Sequence, residues 1–254
     1  MVNFESLDYA VTGSTAYIRL NRAEARNAFT TALYAEVRDA VRLSERDATV
    51  RCVVITGSGG AFAAGGDLKE MLQYLEPDGE VGELGIYRFE DSLPFMTMRS
   101  ATKPIIAAVN GLCVGGGCTT IASCDIVIAA ESARFGIPEV RVGLVDAYLP
   151  TFLFGQVSLP MLKYLTYTGK MIDARKAERI GLVTEVVPDD ELEGRVTEVA
   201  AELAATSDAA KAQYKAMFNK LVPAETSMRD VYPLMFTEEV RQSLIAFGNR
   251  SGTR

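Results

Sequence analysis

The sequence predicts an α/β fold, with a mostly parallel sheet followed by an all-helical C-terminal region. Three observations carry that expectation. Short apolar, β-branched runs recur through the first 190 residues, and amphipathic helical patterns separate them. After Pro188-Asp-Asp190 the runs cease and only helical patterns remain.

Taken in order, Ala16-Tyr-Ile-Arg-Leu20 alternates as a half-buried strand does. Thr30 to Arg46 reads as a helix, with Leu33, Val37, Ala40, Val41 and Leu43 on its apolar side and Thr30 as N-cap. Val50 to Thr56 is a short apolar, β-branched run, closed by Gly57-Ser-Gly-Gly60. Pro104 to Val109, closed by Asn110-Gly111, is a second such run, Asp125 to Ala130 a third and Leu182 to Val187 a fourth. Leu68 to Leu75 and Cys118 to Cys124 are short helical patterns. Glu191 to Ala205, Ala209 to Leu221 and Thr237 to Phe247 supply the C-terminal helices. The expected division is a core over residues 1–190 and a helical region over 191–254, which suits a chain of 254 residues.

Composition removes several function classes. Net charge is −7 and no stretch is rich in Lys and Arg, so no nucleic-acid surface is expected. Met1 to Ala10 has neither a basic start nor an apolar run, so no secretory leader is read. The longest uncharged apolar stretch, Pro104 to Cys118, is broken by Asn110 and four glycines, so no membrane span is expected and the protein is read as cytoplasmic. Cys52, Cys113, Cys118 and Cys124 form no C-x-x-C pair and read as reduced packing residues. Histidine is absent, which excludes Ser-His-Asp and Cys-His nucleophile systems and every His-ligated metal. General acid–base work falls to a carboxylate, Tyr, Lys, Cys or bound water.

Two glycine clusters follow strands and precede helical patterns: Ala64-Gly-Gly-Asp67 before Leu68, and Gly115-Gly-Gly117 before Cys118. Glycine lets backbone N–H groups approach a ligand, and a helix N-terminus offers free donors and the positive end of a dipole. Two such ends facing one point would make an oxyanion hole. Tight turns alone are the other reading of these glycines. A dinucleotide fingerprint fails because Phe62 stands at its third glycine, and neither cluster has the Gly-Lys-Ser/Thr of a phosphate loop.

Several linked segments, in order along most of the chain, resemble the enoyl-CoA hydratase/isomerase, or crotonase, superfamily. They are Leu20-Asn-Arg-Ala-Glu-Ala-Arg-Asn-Ala28, Ala61-Phe-Ala-Ala-Gly-Gly-Asp-Leu-Lys-Glu-Met71, Lys103-Pro-Ile-Ile-Ala-Ala-Val-Asn-Gly-Leu-Cys-Val-Gly-Gly-Gly-Cys118, Cys124-Asp-Ile-Val-Ile-Ala-Ala130, Ala133-Arg-Phe-Gly-Ile-Pro-Glu139 and Gly181-Leu-Val-Thr-Glu-Val-Val187. The resemblance implies a crotonase-like spiral of repeated β-β-α units with a C-terminal helical region that helps build a homotrimer or homohexamer. It implies an acyl-CoA substrate and an enolate held by the N–H groups of Gly66 and Gly116. Coenzyme A comes as part of the substrate, and no separate cofactor or metal is expected. Ala25, Arg26, Ala64, Gly66, Asp67 and Leu68 match positions around coenzyme A, and Arg250 matches a phosphate contact.

The carboxylates depart from the family pattern. Hydratases of the family use two glutamates to hold one water. Glu139 matches one, and Thr119 stands where the other belongs. The departure predicts slow hydration that Thr119→Glu would raise, or a double-bond isomerase working through Glu139 alone, with Thr119 at most orienting water. Asp146, in Leu144-Val-Asp-Ala-Tyr-Leu-Pro150, matches a catalytic aspartate of some members, although a helix cap or a surface charge explains it equally well. Other enolate reactions (C–C bond hydrolysis, decarboxylation or ring closure) and a catalytically weak CoA-binding protein stay open.

Overall fold

The computed structural model describes residues 3–74, 89–222, 231, 234 and 237–251, with side chains as far as residue 246. The described strands form two sheets. β1 (Leu7–Thr12) and β2 (Thr15–Leu20) make an antiparallel hairpin. Then β3 (Cys52–Gly57), β5 (Ile105–Val109), β7 (Ile126–Ala130) and β10 (Glu185–Val187) join in parallel, giving the order β1-β2-β3-β5-β7-β10. A smaller sheet runs β4-β6-β8-β9, from β4 (Ala61–Ala63), β6 (Leu112–Val114), β8 (Arg134–Gly136) and β9 (Ile172–Asp173). Its first three strands are parallel, and β9 is antiparallel to β8.

The unbroken apolar runs have a direct cause. Alternate residues of β3, β5 and β7 fill two different cores. Val53, Ile55, Ile105, Ala107 and Val127 face the main core. Cys52, Val54, Ile106, Ala108 and Ile128 face a second one, closed by Leu192, Val196, Val199 and Ala200 of α8 (Leu192–Ala204). A parallel strand covered on both faces has no polar face, so the alternation disappears. Each such Val or Ile contributes about 1.5–3 kcal/mol by leaving water. The first helix after residue 190 thus packs directly on the sheet.

The main core is closed by α1 (Thr31–Arg46), whose Leu33, Tyr34, Val37, Ala40 and Val41 are buried. The Thr30 hydroxyl accepts from Leu33 N at 3.1 Å, the expected cap. The remaining helices are α2 (Leu68–Tyr74), α3 (Phe95–Ser100), α4 (Gly116–Ala122), α5 (Leu149–Leu153), α6 (Leu159–Thr168), α7 (Ala174–Arg179), α9 (Asp208–Leu221) and α10 (Glu238–Ser251). The repeated passage from long strand to short strand to helix, as in β5, β6 and α4, puts a helix N-terminus just beyond each short strand. No described helix is long and apolar enough to cross a membrane.

Candidate active site

Both glycine clusters open on one cavity of about 300 Å³, lined by Gly65, Gly66, Gly115, Gly116, Glu139 and Asp146 among others. At the first cluster, Phe29 N donates to Gly65 O at 2.8 Å and Asp67 N donates to Phe29 O at 2.8 Å. This one-residue parallel bridge consumes the groups on either side of Gly66 and turns the Gly66 N–H the other way. Asp67 also binds Arg22 at 3.1 Å, and its second oxygen caps α2 through Lys69 N at 3.1 Å. Asp67 therefore holds the segment and does not line the cavity.

At the second cluster, Gly115 takes φ +54°, a conformation that favours glycine, and its carbonyl accepts from Cys118 N and Thr119 N. The chain then enters α4 with Gly116 as its first residue, so the Gly116 N–H lies in the unsatisfied first turn. Neither the Gly66 nor the Gly116 N–H meets an acceptor among the described residues. A Cβ on Gly115 would lie 2.6 Å from Glu139 Oε1, so glycine there makes room for the carboxyl.

Glu139 opens a 3₁₀ turn, Glu139–Val142, after Pro138. Its Oε2 is buried and has no hydrogen-bond partner among the described residues. Arg141, the alternative partner for a surface charge, donates instead to Thr168 O. Burial, then the nearby Asp146 charge, pushes the Glu139 carboxyl up to about 8 from 4.5. Asp146 lines the cavity and takes the expected helix-cap reading. Its Oδ1 accepts from Tyr148 N at 2.9 Å and Leu149 N at 2.8 Å, starting α5, while its Oδ2 accepts from the Thr119 hydroxyl. Burial raises its pKa, and these three donors oppose that rise. Three donors thus favour the charged form of Asp146, whereas Glu139 Oε2 has no such support among the described residues.

Thr119 is fully buried and off the cavity lining, and its hydroxyl donates to Asp146. Of the coenzyme A positions, Ala64, Gly66 and Leu68 line the cavity, whereas Ala25 and Arg26 do not. Arg26, at φ +50°, accepts through its carbonyl from Ala64 N at 3.0 Å. Arg250 lies in α10, and its side chain is outside the described residues.

Sequence reasoning missed Asn27 and Tyr34. Asn27 is fully buried at φ +57°. Its Nδ2 donates to Ser58 O at 3.0 Å and Ala61 O at 2.8 Å, and its Oδ1 accepts from Arg22 N at 2.9 Å. It ties the segment after β2 to the β3–β4 turn. The one local signal is an Asn in a polar run between two apolar elements, which reads equally as a loop residue. Tyr34 lies among the apolar positions of α1, where an aromatic reads as packing.

The enoyl-CoA hydratase/isomerase family model matches residues 11–250. The chain is 34% identical to a probable enoyl-CoA hydratase of Rhizobium meliloti, over 97% of this chain and 96% of that one. It is also 34% identical to a crotonyl-CoA hydratase of Syntrophomonas wolfei, over 91% and 90%. An enoyl-CoA hydratase/isomerase structure from Mycobacterium paratuberculosis superposes with a TM-score of 0.85 at 29% identity, covering 95% and 98% of the two chains. With the model match spanning nearly the whole length and the crotonase architecture reproduced, this chain belongs to the enoyl-CoA hydratase/isomerase family.

Proposed function

We propose that this enzyme adds water to the double bond of an enoyl-CoA thioester, using Glu139 and Asp146 as its acid and base. The observation behind this reading is that two carboxyls, one supported by three donors and one with a partnerless oxygen, share a cavity with two free backbone donors. The thioester oxygen accepts from the Gly66 and Gly116 N–H groups. Asp146 removes a proton from water as its oxygen bonds to C3. The double-bond electrons move onto the thioester oxygen, where donors already in place hold the charge without reorganising. As the enolate collapses, Glu139 delivers its proton to C2. Asp146 then holds the proton that Glu139 has lost, and exchange through water resets the pair. No metal or nicotinamide enters any step. Ala25 and Arg26 are taken to contact coenzyme A, and Ala64 and Leu68 to lie near its adenine.

Asp146 replaces the carboxylate that Thr119 lacks, reaching the α4 face from the loop before α5. A second reading keeps the same pair and omits water. From a 2-enoyl ester, Asp146 takes a proton from C4 and Glu139 gives one to C2, which moves the double bond to C3; a 3-enoyl ester follows the same steps in reverse, losing its C2 proton and gaining one at C4. The aromatic lining, with Phe29, Phe89 and Phe95 beside the cavity, favours keeping this reading. We also take the working form to be a homotrimer or a pair of trimers.

Turnover of crotonyl-CoA, a 3-enoyl-CoA, a dienoyl-CoA and a β-ketoacyl-CoA, each after EDTA treatment, tests the proposal. Loss of crotonyl-CoA absorbance with formation of the 3-hydroxy ester is expected. Conversion of the 3-enoyl ester alone would establish isomerisation instead. Failure to bind any of the esters, or activity only with added metal, would overturn both readings.

A further inference from the structure

Tyr34 is 5% exposed, lines the cavity, and has no hydrogen-bond partner for its hydroxyl among the described residues. Its ring is fixed on three sides. It stacks on Phe29 with centroids 4.4 Å apart and planes 4° from parallel. Phe89 and Phe95 meet it edge-on at 6.0 and 5.7 Å. This clamp aims the hydroxyl at the start of α4, where a Cβ on Gly116 would sit only 2.1 Å from it. The phenol is thus held rigidly with its one polar atom free of protein partners and open to the cavity, where a bound ligand would meet it.

We propose that Tyr34 is a third donor to the thioester oxygen, acting beside the Gly66 and Gly116 N–H groups. The inference rests on the acyl-CoA reading above. The hydroxyl lies against the residue whose N–H supplies one of the two backbone donors. It also stays protonated: burial first, then the charges of Asp146, Glu139 and Glu70, push its pKa far above the ordinary tyrosine value. A neutral, preoriented O–H resists neither the entry of the neutral thioester nor the growth of negative charge on its oxygen. Its hydrogen bond therefore strengthens as the enolate forms, which is the condition for lowering the barrier. Glycine at 116 serves this contact as well, since a side chain there would displace the hydroxyl.

Tyr34→Phe keeps the stacked ring and removes only the oxygen. Loss of one oxyanion donor in other enzymes lowers kcat by roughly 10²–10³-fold, and a fall of that order is expected, with affinity for coenzyme A itself unchanged. A merely structural role would leave acetoacetyl-CoA bound in the same ionisation state. Here the enolate absorbance of acetoacetyl-CoA is expected to diminish on the variant relative to wild type. Thermal unfolding of both proteins establishes that the variant is folded. A kcat within a few-fold of wild type, or an unchanged enolate fraction, would overturn the assignment, as would a loss confined to KM. If wild type neither binds nor turns over acyl-CoA esters, the underlying functional reading fails. If wild type works and the variant works equally well, only the role of Tyr34 fails.

Discussion

Glu139 holds its proton up to about pH 8 because one oxygen is buried without a partner and Asp146 stands nearby. The consequence for stability has a definite sign. Between the unfolded value of 4.5 and about 8, the folded protein keeps a proton that the unfolded chain releases. Stability contributed by this group therefore falls as pH rises through that window and is flat above it. Glu139→Gln removes the penalty. The variant is expected to melt higher than wild type at pH 9, by an amount on the order of a few kcal/mol, and to lose much of that advantage at pH 5. Melting curves at the two pH values check this, and an advantage equal at both would show that the carboxyl is not strained. Activity moves the opposite way, because the amide cannot deliver a proton. Glu139→Gln is expected to lower kcat by roughly 10²–10⁴-fold with product-like CoA esters still bound. Asp146→Asn should give a loss of similar size, and the double variant little more, since two groups on one proton path are not additive. In wild type, kcat/KM should fall on the alkaline side as Glu139 loses its proton, near pH 8.

Helix α4 and the start of α5 are joined by the Thr119–Asp146 hydrogen bond, which links residues far apart in sequence. Thr119→Val removes one donor from a buried carboxylate. It is expected to cost about 1.5–3 kcal/mol of stability and to move the acidic limb of the pH profile upward, because the Asp146 anion loses support. Thr119→Glu, which motif comparison alone recommends as a repair, should instead abolish activity. At this fully buried position a new carboxylate would press on Asp146 rather than hold water. A rise in crotonyl-CoA hydration would show that the cavity extends to this side chain. This pair also shows where legibility ended. The Gly66 and Gly116 clusters are local patterns, and so are the runs that became β3, β5 and β7. Asp146 carries a motif-level hint, but its contact with Thr119 has no counterpart in local spacing. β4, β6, β8 and β9 have three residues or fewer, too short to show a period, and β1 is an edge strand whose residues are mostly exposed. Asn27 belongs to the same class of silent residue. Asn27→Ala is expected to destabilise the chain by a few kcal/mol and to raise KM for CoA esters, because the segment carrying Ala25 and Arg26 loses its anchor.

For the whole molecule, the telling feature is which apolar side chains are exposed among the described residues. The sheet is covered on both faces, and α8 lies over one of them. By contrast, α9 exposes Tyr214, Met217, Phe218 and Leu221, at 60, 50, 61 and 76%. These residues follow the i, i+3, i+4, i+7 spacing and so form one stripe along the helix. On α6, Tyr164 and Tyr167 are exposed as well, at 44 and 71%. A continuous apolar stripe on a helix is the surface expected at a subunit contact, whereas single exposed apolar residues are ordinary. Most of α9 contributes little to the core, with Lys215, paired to Asp125 at 2.7 Å, as its one buried residue. The helix is thus docked by a polar pair on one side and left apolar on the other, an arrangement that suits a helix shared between subunits. Light scattering at micromolar concentration is expected to give the mass of a trimer or of two trimers, with a melting temperature that rises with protein concentration. Phe218→Glu together with Leu221→Glu should reduce the mass toward one chain, because like charges at the centre of an apolar contact are left unpaired. A wild-type protein that is monomeric throughout, or a charged variant that assembles unchanged, would remove this face from the subunit contact.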